Sequence, residues 1–331
     1  MIKEKDWYFD FLRGIAIVMV IAIHTYVAVD EINGIVLIRQ AMNCAVPLFL
    51  AISGYFIGKK DLSSLEKYNA FLKKQLPRVY VPMLLWSIPF LLINFRHSGI
   101  HLGMLTAFLG GCSVFYFIIL IIEFYLLTPI IQKVSLSKSL AVSSLITLVG
   151  IILFVYLLHI KCYNIPLYLN GTPFLLWLVF YVLGVKFGNG VSFIWWFLSL
   201  AFFFLFASLG ETYFYSINGK VAHGIKISSH FYSAFVILIV LSKEFRENFV
   251  RLFENVKIIH WVAWLGRQSF FVYLCHMLVI RFTDKILGRG IWPVKIFVTL
   301  VLCVIISLIT KKIFNKKINL IRIHIEEDAG K

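Results

Sequence analysis

The sequence predicts an all-α, polytopic membrane helix bundle of about ten transmembrane helices with both termini cytoplasmic, and three observations carry that expectation. Of the 331 residues, 60% are hydrophobic and only 15% are charged, whereas soluble domains carry about 25% charged residues. Such a chain cannot cover itself with polar surface. Apolar stretches long enough to cross about 30 Å of hydrocarbon also follow one another with little between them. Finally, the basic residues fall unevenly on alternate sides of those stretches, which is how orientation in a membrane is set.

In order, the expected spans are Phe9–Val29, Ile35–Ile57, Val79–Phe95, Ser113–Ile131 and Leu140–Leu158. They continue with Pro173–Phe187, Val191–Leu209, Ser229–Leu241, Gln268–Phe282 and Pro293–Thr310. The eighth is shorter than the roughly 20 residues a spanning helix needs, so it either starts earlier or is a broken helix. With the N-terminus inside, 22 of the Lys and Arg residues fall in inward connections and 8 in outward ones. Arg13 and Arg39 lie within helices and complete the total of 32. The chain reads as one domain over residues 1–331, with the bundle at about 9–310 and short cytoplasmic tails.

The formal net charge of +16 invites a nucleic-acid partner. The basic residues, however, sit in short segments between apolar runs, where they act as topology signals and bind anionic lipid headgroups. No cleavable signal peptide is expected: the first apolar run is long, lacks a small-residue cleavage site and contains Arg13 and His24. The five cysteines show no C-x-x-C spacing and no paired His, so no metal or redox site is expected. Cys112 and Cys162 both fall at outward positions, where an oxidising compartment permits a disulfide.

Two connections exceed tight turns. In 62–76, Leu62, Leu65, Leu72 and Leu76 recur at helical spacing among Lys67, Lys73 and Lys74, the pattern of an amphipathic segment lying on the cytoplasmic surface. The other, 210–228, is expected to be an outward loop holding Glu211, Asn218 and His223.

Ionisable residues inside spans are costly and normally face a cavity or a partner. The first span opens with Asp10 and Arg13 and later carries His24. Eleven positions separate Arg13 from His24, about three helical turns, so both project from one face roughly 16 Å apart. A polar stripe of that length describes a path; a structural Arg–Asp pair with a hydrogen-bonded His nearby is the competing reading. Arg39 is expected at the level of His24, Ser53 near that of Arg13, and Glu123 and His276 near the middle of their helices. An unpaired Glu123 needs a partner, with Arg39, Arg13 or a proton as candidates. Arg78, after Lys73 and Lys74, clusters cations at the cytoplasmic surface, suited to a phosphorylated ligand or to lipid headgroups.

Three local patterns then resemble the membrane-bound acyltransferase-3 family of bacterial O-acyltransferases. They are Phe11-Leu12-Arg13-Gly14-Ile15-Ala16 followed by Ile23-His24-Thr25, the segment from Val46 to Tyr55 containing Ser53-Gly54, and Ser269 to His276. Phe124 to Pro129 matches more weakly, and Leu167 to Gly171 resembles the enterobacterial-common-antigen O-acetyltransferase branch. The chain departs where many members have two arginines three apart: Gln75 stands in the first place, with Lys73 or Lys74 as substitutes. It also has Val114-Phe115-Tyr116-Phe117 where the family's fourth helix often begins His-x-Trp-Phe.

The resemblance implies transfer of an acetyl (acyl) group from cytosolic acetyl-CoA, as co-substrate, to a hydroxyl of a cell-surface glycan or its lipid-linked precursor. Acyl transfer needs a base or nucleophile, donors for the developing oxyanion, and contacts for the donor's phosphates. His24, Glu123 and Arg39 are therefore the catalytic candidates. Arg13, Arg78, Lys73, Lys74 and Ser53 are candidates for holding the donor, and His276 and Asp10 for contacting substrate. The expected setting is a bacterial cytoplasmic (inner) membrane. Expected partners are membrane lipids, the acyl-CoA and the glycan or lipid-linked saccharide, with no nucleic acid and no metal; self-association into an oligomer is compatible. The alternative is a transporter or exporter of a glycan or small sugar derivative, but no inverted repeat and no matched pair of broken helices points to it.

Overall fold

The computed structural model describes residues 6–26, 34–98, 108–111, 113–163, 174–187, 192, 195–218, 224–288 and 291–329. Twelve helices carry these residues: α1 Trp7–Thr25, α2 Gly34–Ala41, α3 Ala45–Gly58, α4 Leu65–Ser98, α5 Tyr116–Lys133 and α6 Leu136–Val155. They are followed by α7 Leu178–Lys186, α8 Trp196–Ile217, α9 Ile227–Leu241, α10 Lys243–Phe253, α11 Lys257–Leu287 and α12 Trp292–Ala329. No strand occurs among the described residues. Among the described residues, seven segments are long and apolar enough to cross a membrane: 7–25, 35–58, 65–93, 116–133, 136–160, 196–217 and 292–312. The molecule is an all-α polytopic membrane bundle, and each of the ten expected spans overlaps at least one of its helices.

Backbone contact between helices is closest where glycine permits it. A Cβ on Gly266 of α11 would lie 1.7 Å from the Asp10 carbonyl oxygen of α1, and one on Gly14 would lie 2.1 Å from that of Val262. The same device joins α3 to α7, where a Cβ on Gly184 would meet the Ala51 carbonyl oxygen at 2.0 Å. Without a hydrophobic force between helices in lipid, such small-residue contacts do the packing. Gly54 belongs to this α3–α7 contact as well, 2.4 Å from the Tyr181 carbonyl oxygen by the same measure.

The second span is not one helix. Its α2 and α3 halves are separated by a 3-10 turn at Met42–Cys44. Pro47 explains the position: it has no N–H to offer the Asn43 carbonyl, and its ring crowds that carbonyl. Arg39 stands in the last turn of α2 and Asn43 in the 3-10 turn itself.

Three connections differ from expectation. Residues 65–76 do not form a separate surface segment but continue into the span as the single helix α4, with Pro77, Pro82 and Pro89 inside it. Pro77 is exposed, and its ring leaves the Lys73 carbonyl without its usual helical donor. In the expected outward loop at 210–228, residues 210–217 are helix, because α8 runs on to Ile217 and takes Glu211 with it; Glu211 accepts the Ser228 N–H at 3.0 Å, tying α8 to the start of α9. The span at 229–241 starts two residues early, at Ile227, which answers part of its shortness. Between α9 and α11, α10 is an amphipathic helix that the sequence reading treated as a connection. Its Ser242 cap accepts from the Phe245 N–H, and Phe249 packs on Trp7, Tyr8 and Phe11 of α1. Cys112, His223 and the segment Leu167 to Gly171 lie outside the described residues.

Candidate functional site

Helices α1, α3, α4, α5, α9 and α11 surround a cavity of about 440 Å³. Arg13 and His24 both line it, so the single polar face expected of α1 is the face turned to the cavity. Arg39, Asn43 and Ser53, from the broken second span, line it too. Lys60 and Gln75 reach it from either side of the α3–α4 connection. Most of the remaining wall is apolar or aromatic, with Phe117, Tyr125, Trp177 and Tyr273 among its residues.

At the Arg13 level, Nη1 donates to Asp10 Oδ1 at 2.9 Å, and the guanidinium lies 4.8 Å from the centre of the Phe56 ring. The other Asp10 oxygen faces Arg267 Nη1 at 3.6 Å. Asp10 therefore neutralises and orients Arg13 rather than lining the cavity. Arg267, counted in the sequence only as an inward-facing charge, completes this network.

At the His24 level, Arg39 Nη1 donates to Asn43 Oδ1 at 2.6 Å, and Asn43 Nδ2 donates to Gln40 Oε1 at 2.9 Å. That same oxygen accepts from Ser208 Oγ at 3.1 Å and from Lys226 Nζ at 2.7 Å. Lys226 is fully buried and also donates to the Ser208 carbonyl at 2.8 Å and to Thr212 Oγ1. Arg39 is buried, stands within electrostatic range of His24, and its Nε–H has no hydrogen-bond partner. A buried donor without an acceptor is costly unless a ligand supplies one.

His276 does not line the cavity but lies directly behind its wall, with its ring centre 5.4 Å from that of His24. Glu123 is also set apart. Its carboxylate accepts the Phe174 N–H at 3.0 Å, and so holds the turn that leads into Trp177.

At the surface end, Lys60 Nζ sits 4.9 Å from the centre of the Phe71 ring. Its ammonium is held below the usual lysine value, first by partial withdrawal from water and then by repulsion from Lys74 and Arg78. Asp61 next to it is taken up by Lys67 and Ser63. Lys73 is exposed and is not among the lining residues. Of the candidates read from the sequence, Arg13, His24, Arg39 and Ser53 thus share one cavity, with Lys74 and Arg78 near its mouth. Lys60, Asn43, Gln40 and Lys226 join the site from the structure. The spacing of Arg39 and Asn43, four apart on a helix, was the one signal that could have announced a pair.

A helix bundle of membrane-spanning segments around a deep cavity, with ionisable groups spaced along one wall, defines a multi-pass membrane protein whose site lies inside the bundle. The chain belongs to the acyltransferase-3 family: the family model described as an acyltransferase domain matches residues 6–312. It is a membrane acyltransferase. No curated protein and no solved structure gives a significant match to it.

Proposed function

We propose that this protein transfers an acetyl (acyl) group from cytosolic acetyl-CoA to a hydroxyl of a cell-surface polysaccharide or its lipid-linked precursor, in a bacterial cytoplasmic membrane with both chain termini inside. The observation that carries the reading is the shared cavity, which has cations at its mouth, Arg13 part-way along, and His24 beside a buried Arg39 whose Nε–H lacks an acceptor.

In this reading Lys60, Lys74 and Arg78 hold the phosphates of the donor, with Lys73 at the outer edge of the same surface. The thin arm of the donor passes Ser53 and Arg13 and brings its thioester to His24, about 16 Å farther along α1. His24 takes the proton of the acceptor hydroxyl, or is itself transiently acylated. As the tetrahedral intermediate forms, its oxygen becomes the missing acceptor for Arg39 Nε–H. Asn43 fixes the Arg39 fork through the other edge of the guanidinium. Glu123 keeps the Phe174 turn, and through it Trp177, against the acceptor side of the cavity.

The test uses the full chain in nanodiscs with radiolabelled acetyl-CoA and the glycolipids extracted from bacterial membranes. Label transferred by wild type and lost in His24→Ala, with binding of coenzyme A retained, is the expected result. Label transferred equally by His24→Ala would overturn the mechanism. Binding of the glycolipid without any thioester consumption would point to transport instead.

A further inference from the structure

His276 is fully enclosed just behind the cavity wall, with 0% exposure. Its Nδ1 lies in hydrogen-bond contact with the Tyr273 carbonyl oxygen of the preceding turn. A carbonyl can only accept, so Nδ1 carries the proton, and in the neutral ring Nε2 is a bare acceptor. That Nε2 is buried and has no partner. Among the described residues, the histidine ring against it is His24, 5.4 Å away centre to centre. With each ring nitrogen a little over an ångström from its centre, turning the rings to face one another brings two nitrogens to about 3 Å, which is hydrogen-bond distance.

We infer that His276 is a positioning residue for His24, its unpartnered Nε2 accepting the N–H on the rear of the His24 ring so that the front nitrogen is bare toward the cavity. The proposal rests on the role given to His24 above and adds what sets its tautomer. Both versions of that role need the bare front nitrogen. As a base, His24 takes the acceptor's proton on that nitrogen, becomes imidazolium, and keeps its rear N–H on His276. As an acyl carrier, it attacks the thioester carbon through the same nitrogen, and the thiolate of coenzyme A leaves. His276 gains and loses no proton in either case. The logic is that of a base oriented by a third group, here a neutral imidazole whose own tautomer is fixed by a backbone carbonyl. A carboxylate in that place would add charge to a site already deep in the bilayer.

The experiment compares His276→Leu and His276→Gln with wild type and His24→Ala, all as full-length protein in nanodiscs, using radiolabelled acetyl-CoA and extracted membrane glycolipids. Gln keeps a side-chain acceptor, and Leu has none. The expected result is a fall in kcat of about a hundredfold in the Leu variant with KM for acetyl-CoA within about twofold, and recovery of at least about tenfold of that loss in Gln. Carbethoxylation of His24 by diethyl pyrocarbonate, read by mass spectrometry, reports its bare nitrogen without any turnover and should slow in Leu but not in Gln. Equal kcat losses in both variants with unchanged His24 labelling would assign His276 to packing and overturn the inference. So would wild-type kcat in the Leu variant. If His24→Ala itself transfers normally, it is the role of His24 that fails, a result separable from either of these.

Discussion

Gly266 of α11 lies so close to Asp10 of α1 that any side chain at 266 would have to displace the Asp10 carbonyl, 1.7 Å from where a Cβ would stand. Asp10 also holds Arg13 and faces Arg267, so this backbone contact fixes the helix that carries both Arg13 and His24.

Substituting Gly266→Ala should therefore separate α1 from α11 and lower stability by about 1–3 kcal/mol or more, the usual cost of overpacking. Gly210→Ala is the control, because nothing lies within 4 Å of its would-be Cβ, and it should be near neutral. Thermal unfolding of both variants in detergent, followed by fluorescence, checks this.

Arg39→Lys retains charge but loses the planar fork that reaches Asn43 with one edge and leaves Nε–H free on another. The expected outcome is a drop in kcat of about 10²- to 10³-fold, as for loss of an oxyanion donor, with little change in KM for the donor. Steady-state kinetics separate the two.

Lys60 should report donor binding through pH. Its ammonium is held below the ordinary lysine value by partial desolvation and by Lys74 and Arg78, so as pH rises Lys60 loses its charge before an ordinary lysine does. The affinity for coenzyme A should accordingly weaken at a pH below the usual lysine range. Lys60→Arg, which does not titrate there, should flatten that part of the curve. Lys60→Ala should raise the Kd by about tenfold, as loss of a charge-assisted contact does. Equilibrium dialysis across the pH range measures all three.

Lys226→Met keeps the length of the side chain but leaves Gln40 Oε1, the Ser208 carbonyl and Thr212 Oγ1 without their shared donor. A loss of about 1.5–3 kcal/mol is expected, as for loss of hydrogen bonds to a charged donor. Because Gln40 also anchors Asn43, and Asn43 anchors Arg39, kcat should fall together with stability. Thermal unfolding and turnover on the same preparation check whether the two losses coincide.

Much of this was legible in the residues. Helical spacing alone places Arg13 and His24 on one face of α1, and the cavity wall bears both. The apolar stretches locate the helices because a bilayer leaves the backbone no alternative. What could not be read was partnership across helices. Lys226 counts in the sequence as one more outward lysine, and only the docking of α8 and α9 makes it the buried hub beneath Arg39. Lys60 likewise looks like one of several surface cations until the end of α3 sets it at the cavity mouth. Glu123 fitted a catalytic carboxylate by depth, yet its hydrogen bond goes to the Phe174 amide. At 62–76 and 210–228 the apolar spacing does not show where a span ends, and α4 continues through Pro77 and α8 through Gly210.

The lining of the cavity also bears on the electrical work of the membrane. A wet passage into the bilayer threatens to discharge the gradient across it. Among the described residues, the charged side chains that line it are Arg13, Arg39 and Lys60, with no carboxylate. Fixed positive charge in a largely apolar cavity disfavours protons and metal cations and favours anions. The side chains proposed to hold a polyphosphate donor would also oppose cation leakage, so Arg13→Glu should raise proton flux across proteoliposomes in a pH-sensitive dye assay.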